Sequence, residues 1–383
     1  MKKKDIITII IIAAVLAAVL ASCLYLANRH RFLNNDNSAV IRSDYQIDGN
    51  FLYFNKNGTL MRYNSLTDEV SRLCGHEERN SECLLEEATK NIYLFNNRIY
   101  FQYCEELLVR YPIAYYDLST GEIHKLNIVL DLNHSFFLSN GKIYYISNNA
   151  IFSASPDNGK SKKLTECSET EDIIMVENDQ IYTCLSDYSS GIKYSAIYSY
   201  NIKTLKKEEI YNFITSYYYP IAKIEYFEDR IYMIINISPN YSSSAALENK
   251  TEKNLFCYDT KTKKMNKLLD MKIDDFILTK NSIYYFPYEE REVHHIGTNL
   301  VGENYTTSQV SCSENIYQCD HDGNNSKIIY ANSALGYEIR YIVNGKLFGR
   351  FVGDCPELGI DGKMFYASID LITQKITKIE IPN

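Results

Sequence analysis

The stretch 287–315 gathers more chemistry-bearing side chains than any other, with Tyr288, Glu290, Arg291, His294, His295 and Tyr305 close together. Aromatic rings supply contact area and Arg and His supply hydrogen bonds, a mixture suited to gripping a partner. A metal or acid/base centre fits less well. His294 and His295 are adjacent, and adjacent side chains on an extended chain leave on opposite faces. The residues therefore point to partner binding, with no catalytic residue, no metal ligand and no cofactor assigned.

Other groupings lose their chemistry once spacing is considered. Asp320-His321-Asp322-Gly323-Asn324 has the composition of a calcium loop but lacks the twelve-residue spacing and the closing Glu of an EF-hand. The carboxylate pairs Glu105-Glu106, Glu208-Glu209 and Glu289-Glu290 are chain neighbours, whereas an acid/base pair normally comes from separate segments, so they read as solvated edges. No GxSxG, HExxH, Walker or strand-to-helix GxGxxG motif occurs. Nine of the ten cysteines lie beyond residue 27, an odd number with no CxxC spacing. Cys74/Cys83 and Cys312/Cys319 are spaced as short-range disulfides would be, and unpaired thiols in strands are the other reading.

A repeated unit must position these residues. An Asn/Asp/Gly-type turn followed by an aliphatic residue and an aromatic recurs seven times, as in Asn97-Arg98-Ile99-Tyr100, Asn140-Gly141-Lys142-Ile143-Tyr144 and Asn178-Asp179-Gln180-Ile181-Tyr182. The spacing averages about 49 residues, near the 40–50 of a propeller blade. Each unit also holds an apolar run before the turn and a third strand ending in Tyr-Asp or a similar pair. A polar turn and a fourth strand follow, as at 116–126. The predicted fold is all-β, a single β-propeller of about seven four-stranded blades over 44–383. The absence of Trp excludes propellers built on a Trp-Asp repeat.

The Asn-Gly-Lys-Ile-Tyr-Tyr hairpin at 140–145 and the Tyr-Asp-x-x-Thr-Gly-Glu turn at 116–122 resemble a bacterial family of unknown function, itself similar to the propeller of low-density-lipoprotein-receptor-related proteins. The resemblance implies a propeller and no known activity. The Tyr-Trp-Thr-Asp signature of the eukaryotic proteins is missing, so their ligands do not carry over.

Meander order sets a direction. Turns between strands one and two, and between three and four, share one end of the molecule and are short. Connections between two and three, and between blades, share the other end and take the extra length, at 74–90, 102–112, 186–191, 236–254, 287–315 and 349–362. Long loops on one end of a rigid scaffold mark that end as the expected binding face.

Residues 6–27 carry no charge, follow Lys2, Lys3 and Lys4, and would span about 33 Å as a helix against about 30 Å of hydrocarbon. The expected layout is a transmembrane or signal helix at 1–27, a polar linker at 28–43 and the propeller held at the membrane on the extracytoplasmic side. Leu20-Ala21-Ser22-Cys23 also resembles a lipobox, which makes Cys23 a candidate for lipidation beside the uncleaved anchor and plain secretion. Residues 1–43 carry +4, leaving −12 on the propeller, which repels nucleic acid. The expected function is binding of an extracellular protein, peptide or glycan through the long-loop face. The alternative is an exported hydrolase or lyase with its site at the channel mouth.

Overall fold

A computed structural model of the chain describes residues 45–76, 83–105, 110–130, 134–187, 194–215, 220–237, 252–279, 281–288, 290–291, 295–298, 304–307, 310–311, 315–331 and 335–382. Within these, residues 89–90, 187, 290–291, 295–298, 304–307, 310–311, 335–340, 352–354 and 361–363 are described by their backbone. The chain divides into two units, Met1–Val40 and Ile41–Asn383, and the described residues belong to the second. Segment 6–27 and Cys23 lie outside them. Among the described residues, no helix is long and apolar enough to cross a membrane.

Seven four-stranded antiparallel sheets form the propeller, each a meander of strands in chain order. They cover residues 45–72, 88–130, 136–166, 171–214, 221–267, 273–331 and 335–379, numbered here as blades 1 to 7. The turns between first and second strands explain the recurring Asn, Asp and Gly. Both central residues take the left-handed conformation in Asn96-Asn97, Asn140-Gly141, Asn178-Asp179, Glu228-Asp229 and Asn344-Gly345. That geometry matches strand twist in a two-residue hairpin.

The Asp or Asn closing the third strand also has a local role. Its side-chain oxygen accepts backbone N–H bonds from its own turn, as in Asp259 Oδ1 from Lys261 at 2.9 Å and Thr262 at 2.8 Å. The next residue ties this corner to the first hairpin, as in Thr260 N–H to Asp229 O at 2.8 Å and Ile202 N–H to Asp179 O at 2.8 Å. Asp320 is used in this way, receiving Asp322 N–H at 3.0 Å and Asn324 N–H at 2.8 Å. The calcium-like composition thus belongs to a turn.

The recurring aliphatic-aromatic pair has a packing cause. Successive strand residues point to opposite faces, and here those faces meet different neighbouring blades. Ile181 packs between blades 3 and 4 and Tyr182 between blades 4 and 5. Ile231 and Tyr232 divide in the same way between the next two interfaces. Leu52 and Tyr53 do so in blade 1, and Leu347 and Phe348 in blade 7. Every pair of adjacent blades shares one such apolar cluster.

No described strand of blade 1 joins the sheet of blade 7, so side chains close the ring. Phe348 stacks on Tyr63 at 4.3 Å and lies 5.3 Å from Phe54. Asn344 Nδ2 donates to Asn50 Oδ1 at 2.8 Å, and Lys346 pairs with Asp68 at 2.7 Å. Asp68 also receives the Tyr63 and Ser368 hydroxyls at 2.6 and 2.9 Å. Burial opposes its charge, but these donors, led by Lys346, hold its carboxyl below the usual range.

Phe348→Ala should cost about 3–5 kcal/mol in urea denaturation, because it removes the ring shared by both sides of the seam. Ile372→Ala, at a side chain 89% exposed, should change stability by less than about 0.5 kcal/mol. An unchanged midpoint for Phe348→Ala would contradict the seam. Stability supplied by Asp68 is present above about pH 4 and is lost as pH falls through its depressed folded value. The difference between wild type and Asp68→Asn should therefore shrink as pH falls below about 4, measured by thermal melting.

Candidate functional site

First strands line the axis. Those of neighbouring blades approach each other, and the Tyr45 hydroxyl of blade 1 donates to Glu225 Oε1 of blade 5 at 3.3 Å. Blades 1 and 5 are not neighbours, so this bond crosses the channel. First strands begin at the end that carries the interblade crossings, the end expected to bind. Charged residues collect near those beginnings, and Glu225 stands deeper, towards the short-turn end.

Lys223 is at the centre, its Nζ 2.8 Å from Asp275 Oδ1 and 3.4 Å from Glu225 Oε1. Glu225 Oε2 accepts the Leu278 N–H at 2.8 Å, which joins blade 5 to blade 6. Beside them Lys253 Nζ meets Asp274 at 3.3 Å, and at the same end of blade 4 Asp172 Oδ1 lies 3.4 Å from His134 Nδ1. Side chains of Lys223, Glu225 and Asp275 are 15–22% exposed, so they face a narrow space rather than open solvent. Burial raises the Glu225 pKa against the pull of Lys223. Lys223 is raised as well, because Asp275 and Glu225 outweigh the burial that opposes its charge.

Backbone irregularities aim these groups. Blades 4, 5 and 6 each have a register shift in the first strand, between Ile173 and Met175, Ile221 and Lys223, and Ile273 and Asp275. Such a bulge redirects side chains at a strand end. Asp172, Lys223 and Asp275 pair with Cys184, Ile234 and Phe286, each three residues beyond the Ile of the aliphatic-aromatic pair. Three successive blades thus present a charged group at one equivalent position. The sequence signal for this cluster is Lys223, Glu225, Asp274 and Asp275 inside otherwise apolar first strands.

Of the six binding residues expected from sequence, Tyr288 joins this group, its ring 5.1 Å from Lys253 Nζ. The expected loop at 287–315 contains β structure. Backbone strands Glu290–Arg291 and Val310–Ser311 pair, as do His295–Thr298 and Asn304–Thr307. β-Branched and aromatic residues such as Ile296, Thr298 and Tyr305 favour that form. The side chains of Glu290, Arg291, His295 and Tyr305, and all of His294, lie outside what the structure describes. Cys74, Cys83 and Cys319 are free thiols, so the spacing of Cys74 and Cys83 does not mark a disulfide, and Cys312 lies outside the described residues.

A polar crevice of about 340 Å³ opens at the opposite, short-turn end between blades 4 and 5, lined by Asn178, Asn201 and Glu208 among others. Its charges satisfy each other. Lys206 and Lys263 bind Glu208 at 2.7 and 2.6 Å and lower its carboxyl to about 2. The crevice reads as solvated turn structure, and the channel mouth is the stronger candidate.

No family model and no curated protein matches the chain. Solved structures match its fold. The β-propeller domain of the trilobed protease of Pyrococcus furiosus, described as having an open velcro topology, aligns at TM-score 0.50 and 12% identity over 88% of this chain and 94% of that one. Acylaminoacyl peptidase of Pyrococcus horikoshii aligns at TM-score 0.53 and 11% identity over 88% and 52%. A prolyl endopeptidase aligns at TM-score 0.53 and 8% identity over 88% and 49%. The chain spans about half the length of these two peptidases. At such identities the likeness is one of fold, and the resemblance to the receptor-related family rests on sequence motifs alone.

Lys223→Met would leave Glu225 and Asp275 facing each other without their cation. The loss should be about 3 kcal/mol at pH 7. It should diminish as pH falls towards 5, because burial raises the pKa of Glu225 and its protonation relieves the repulsion. A loss independent of pH over that range would show that Lys223 acts through packing alone.

Proposed function

We propose that this chain is a membrane-tethered, extracytoplasmic β-propeller that binds a partner at the channel mouth on its long-connection end. The observation carrying this reading is the convergence of Asp172, Lys223, Asp274 and Asp275 from three blades on that end. At that end the carboxylates of Asp172, Asp274 and Asp275 outnumber the amines of Lys223 and Lys253, with Tyr288 at Lys253. An acidic excess with an aromatic neighbour favours a cationic segment of a protein or peptide over an anionic glycan. Tethering rests on the uncharged segment 6–27 behind three lysines, or on a lipid at Cys23.

One observation favours the alternative, an exported hydrolase or lyase. Charged groups at equivalent positions in successive blades are how a propeller can assemble an active site. Against it, Lys223 is engaged by two carboxylates and the axis behind it is crossed by Tyr45. The propeller likeness to peptidases is compatible with either reading.

The readings separate on a defined library of peptides of graded charge, presented to the purified full chain. Basic peptides should bind, weaken with added salt, and lose affinity at least about tenfold with Asp172→Asn or Asp274→Asn. Lys206→Gln at the opposite end should leave binding unchanged. Peptides recovered intact support binding, and cleavage abolished by Asp172→Asn would establish the enzyme. Binding indifferent to the mouth variants but lost with Lys206→Gln would place the face at the wrong end.

A further inference from the structure

The crossing from blade 1 to blade 2 holds a second cluster that partner binding does not use. Strand Glu69–Arg72 ends, Gly75 turns the chain with φ at 73°, and the short 3-10 turn Leu84–Glu86 brings it back. The Glu86 side chain is fully buried. A single oxygen, Oε1, lies 2.8 Å from Arg72 Nη1, 3.3 Å from Cys74 Sγ and 3.9 Å from His76 Nδ1. The donor atoms of Cys74, His76 and Cys83 all lie within 4.8 Å of one another. Neutralising a buried carboxylate requires Arg72 alone, so the imidazole and two thiols are more than an ion pair needs.

We propose that Cys74, His76, Cys83 and Glu86 form a tetrahedral site for a divalent transition metal of the Zn²⁺ class, which pins the blade 1–2 crossing. Two sulfurs, a nitrogen and a carboxylate oxygen are a borderline-soft donor set that suits Zn²⁺ and excludes Ca²⁺ and Mg²⁺, which require oxygen. Bonds of about 2.0–2.3 Å place tetrahedral ligands roughly 3.3–3.8 Å apart, so the donors of Cys74, His76 and Cys83 must close by up to about 1 Å, while Glu86 Oε1 already stands 3.3 Å from Cys74 Sγ and 3.9 Å from His76 Nδ1. His76, with its side chain 42% exposed, is free to swing inward.

Charge balance favours the exchange. Without metal the site holds two neutral thiols, the Glu86 carboxylate and the Arg72 guanidinium, a net charge of zero. The incoming dication forms two metal–sulfur bonds as the two thiol protons leave to solvent. Two thiolates, the carboxylate, the guanidinium and the metal again sum to zero. The site, which rests on the buried Arg72 and Glu86, therefore gains no net charge, which keeps the desolvation cost low. The rival fate of these sulfurs is a Cys74–Cys83 disulfide, which needs an external oxidant and removes both thiolates.

Cobalt supplies the test. The full chain, purified in detergent with a phosphine reductant and stripped by a chelator, would be titrated with Co²⁺. Tetrahedral d–d bands and a thiolate-to-cobalt charge-transfer band should saturate at one equivalent and disappear on adding Zn²⁺. Cys83→Ser should weaken the charge-transfer band, and Cys167→Ser should leave it intact. His76→Gln, at an exposed ring, should leave the melting of metal-free protein unchanged and lower Co²⁺ affinity at least about tenfold. Absence of the charge-transfer band in the wild type, or full affinity in His76→Gln, would overturn the site. So would recovery of a Cys74–Cys83 disulfide from protein isolated from its host under thiol-blocking conditions.

Discussion

Closing a ring of seven sheets leaves one seam where the chain supplies no covalent continuity, and in this molecule no shared strand bridges it. Six interfaces join blades consecutive in sequence. The seventh must bring together residues such as Tyr63 and Phe348, almost the full chain apart, with side chains alone. Long-range closure is entropically costly, and at the seam ring contacts and an ion-pair network meet that cost together. Aromatic stacking fills the interior of the seam, while Lys346, Tyr63 and Ser368 converge on Asp68 nearer its edge. Everything on the axis depends on this closure. Tyr45 reaches Glu225 only because blade 1 is held against blade 7.

The same geometry explains why the architecture was legible in residues. A blade is buried on both faces, so two neighbouring positions of its second strand must both be apolar, yet they face different interfaces. Ile181 and Tyr182 or Ile231 and Tyr232 repeat because each interface is filled by an aromatic from one blade and an aliphatic from the next. Turns were legible for a different reason. A pair of residues in the left-handed conformation restricts composition to Asn, Asp, Gly and a few others, and the Asp of the third strand is fixed by the bonds it accepts.

The channel mouth was harder to read because its position depends on bulges. Strict alternation would assign Lys223 and Glu225 to one face, and nothing in the residues Ile-Ala-Lys-Ile-Glu-Tyr-Phe announces that the register slips after Ile221. Asp274 and Asp275 are adjacent, so alternation would separate them. The shift in blade 6 lets one reach Lys253 and the other Lys223. Tyr288 was found from sequence through the company it keeps in the chain, but its spatial neighbour Lys253 lies in another blade. The cluster at Cys74, His76 and Cys83, with Glu86 against it, escaped for a similar reason, since its spacing matches no familiar ligand motif and the turn at Gly75 lies between its donors.

Why charged groups should persist at the mouth is a question of energetics. Buried ion pairs recover in mutual attraction about what they lose in desolvation, and apolar residues of similar volume often serve stability as well or better. The neighbouring interfaces show that this chain fills space with Ile, Phe and Tyr wherever packing is the only demand. Three first strands depart from that habit together, at one register position and at one end of the axis. A plug for the channel needs none of this, since Tyr45 already crosses it. A surface that must recognise charge in another molecule does need it, and needs the groups held rigidly so that little freedom is lost on contact. The bulges place them, and the closed ring keeps them in place.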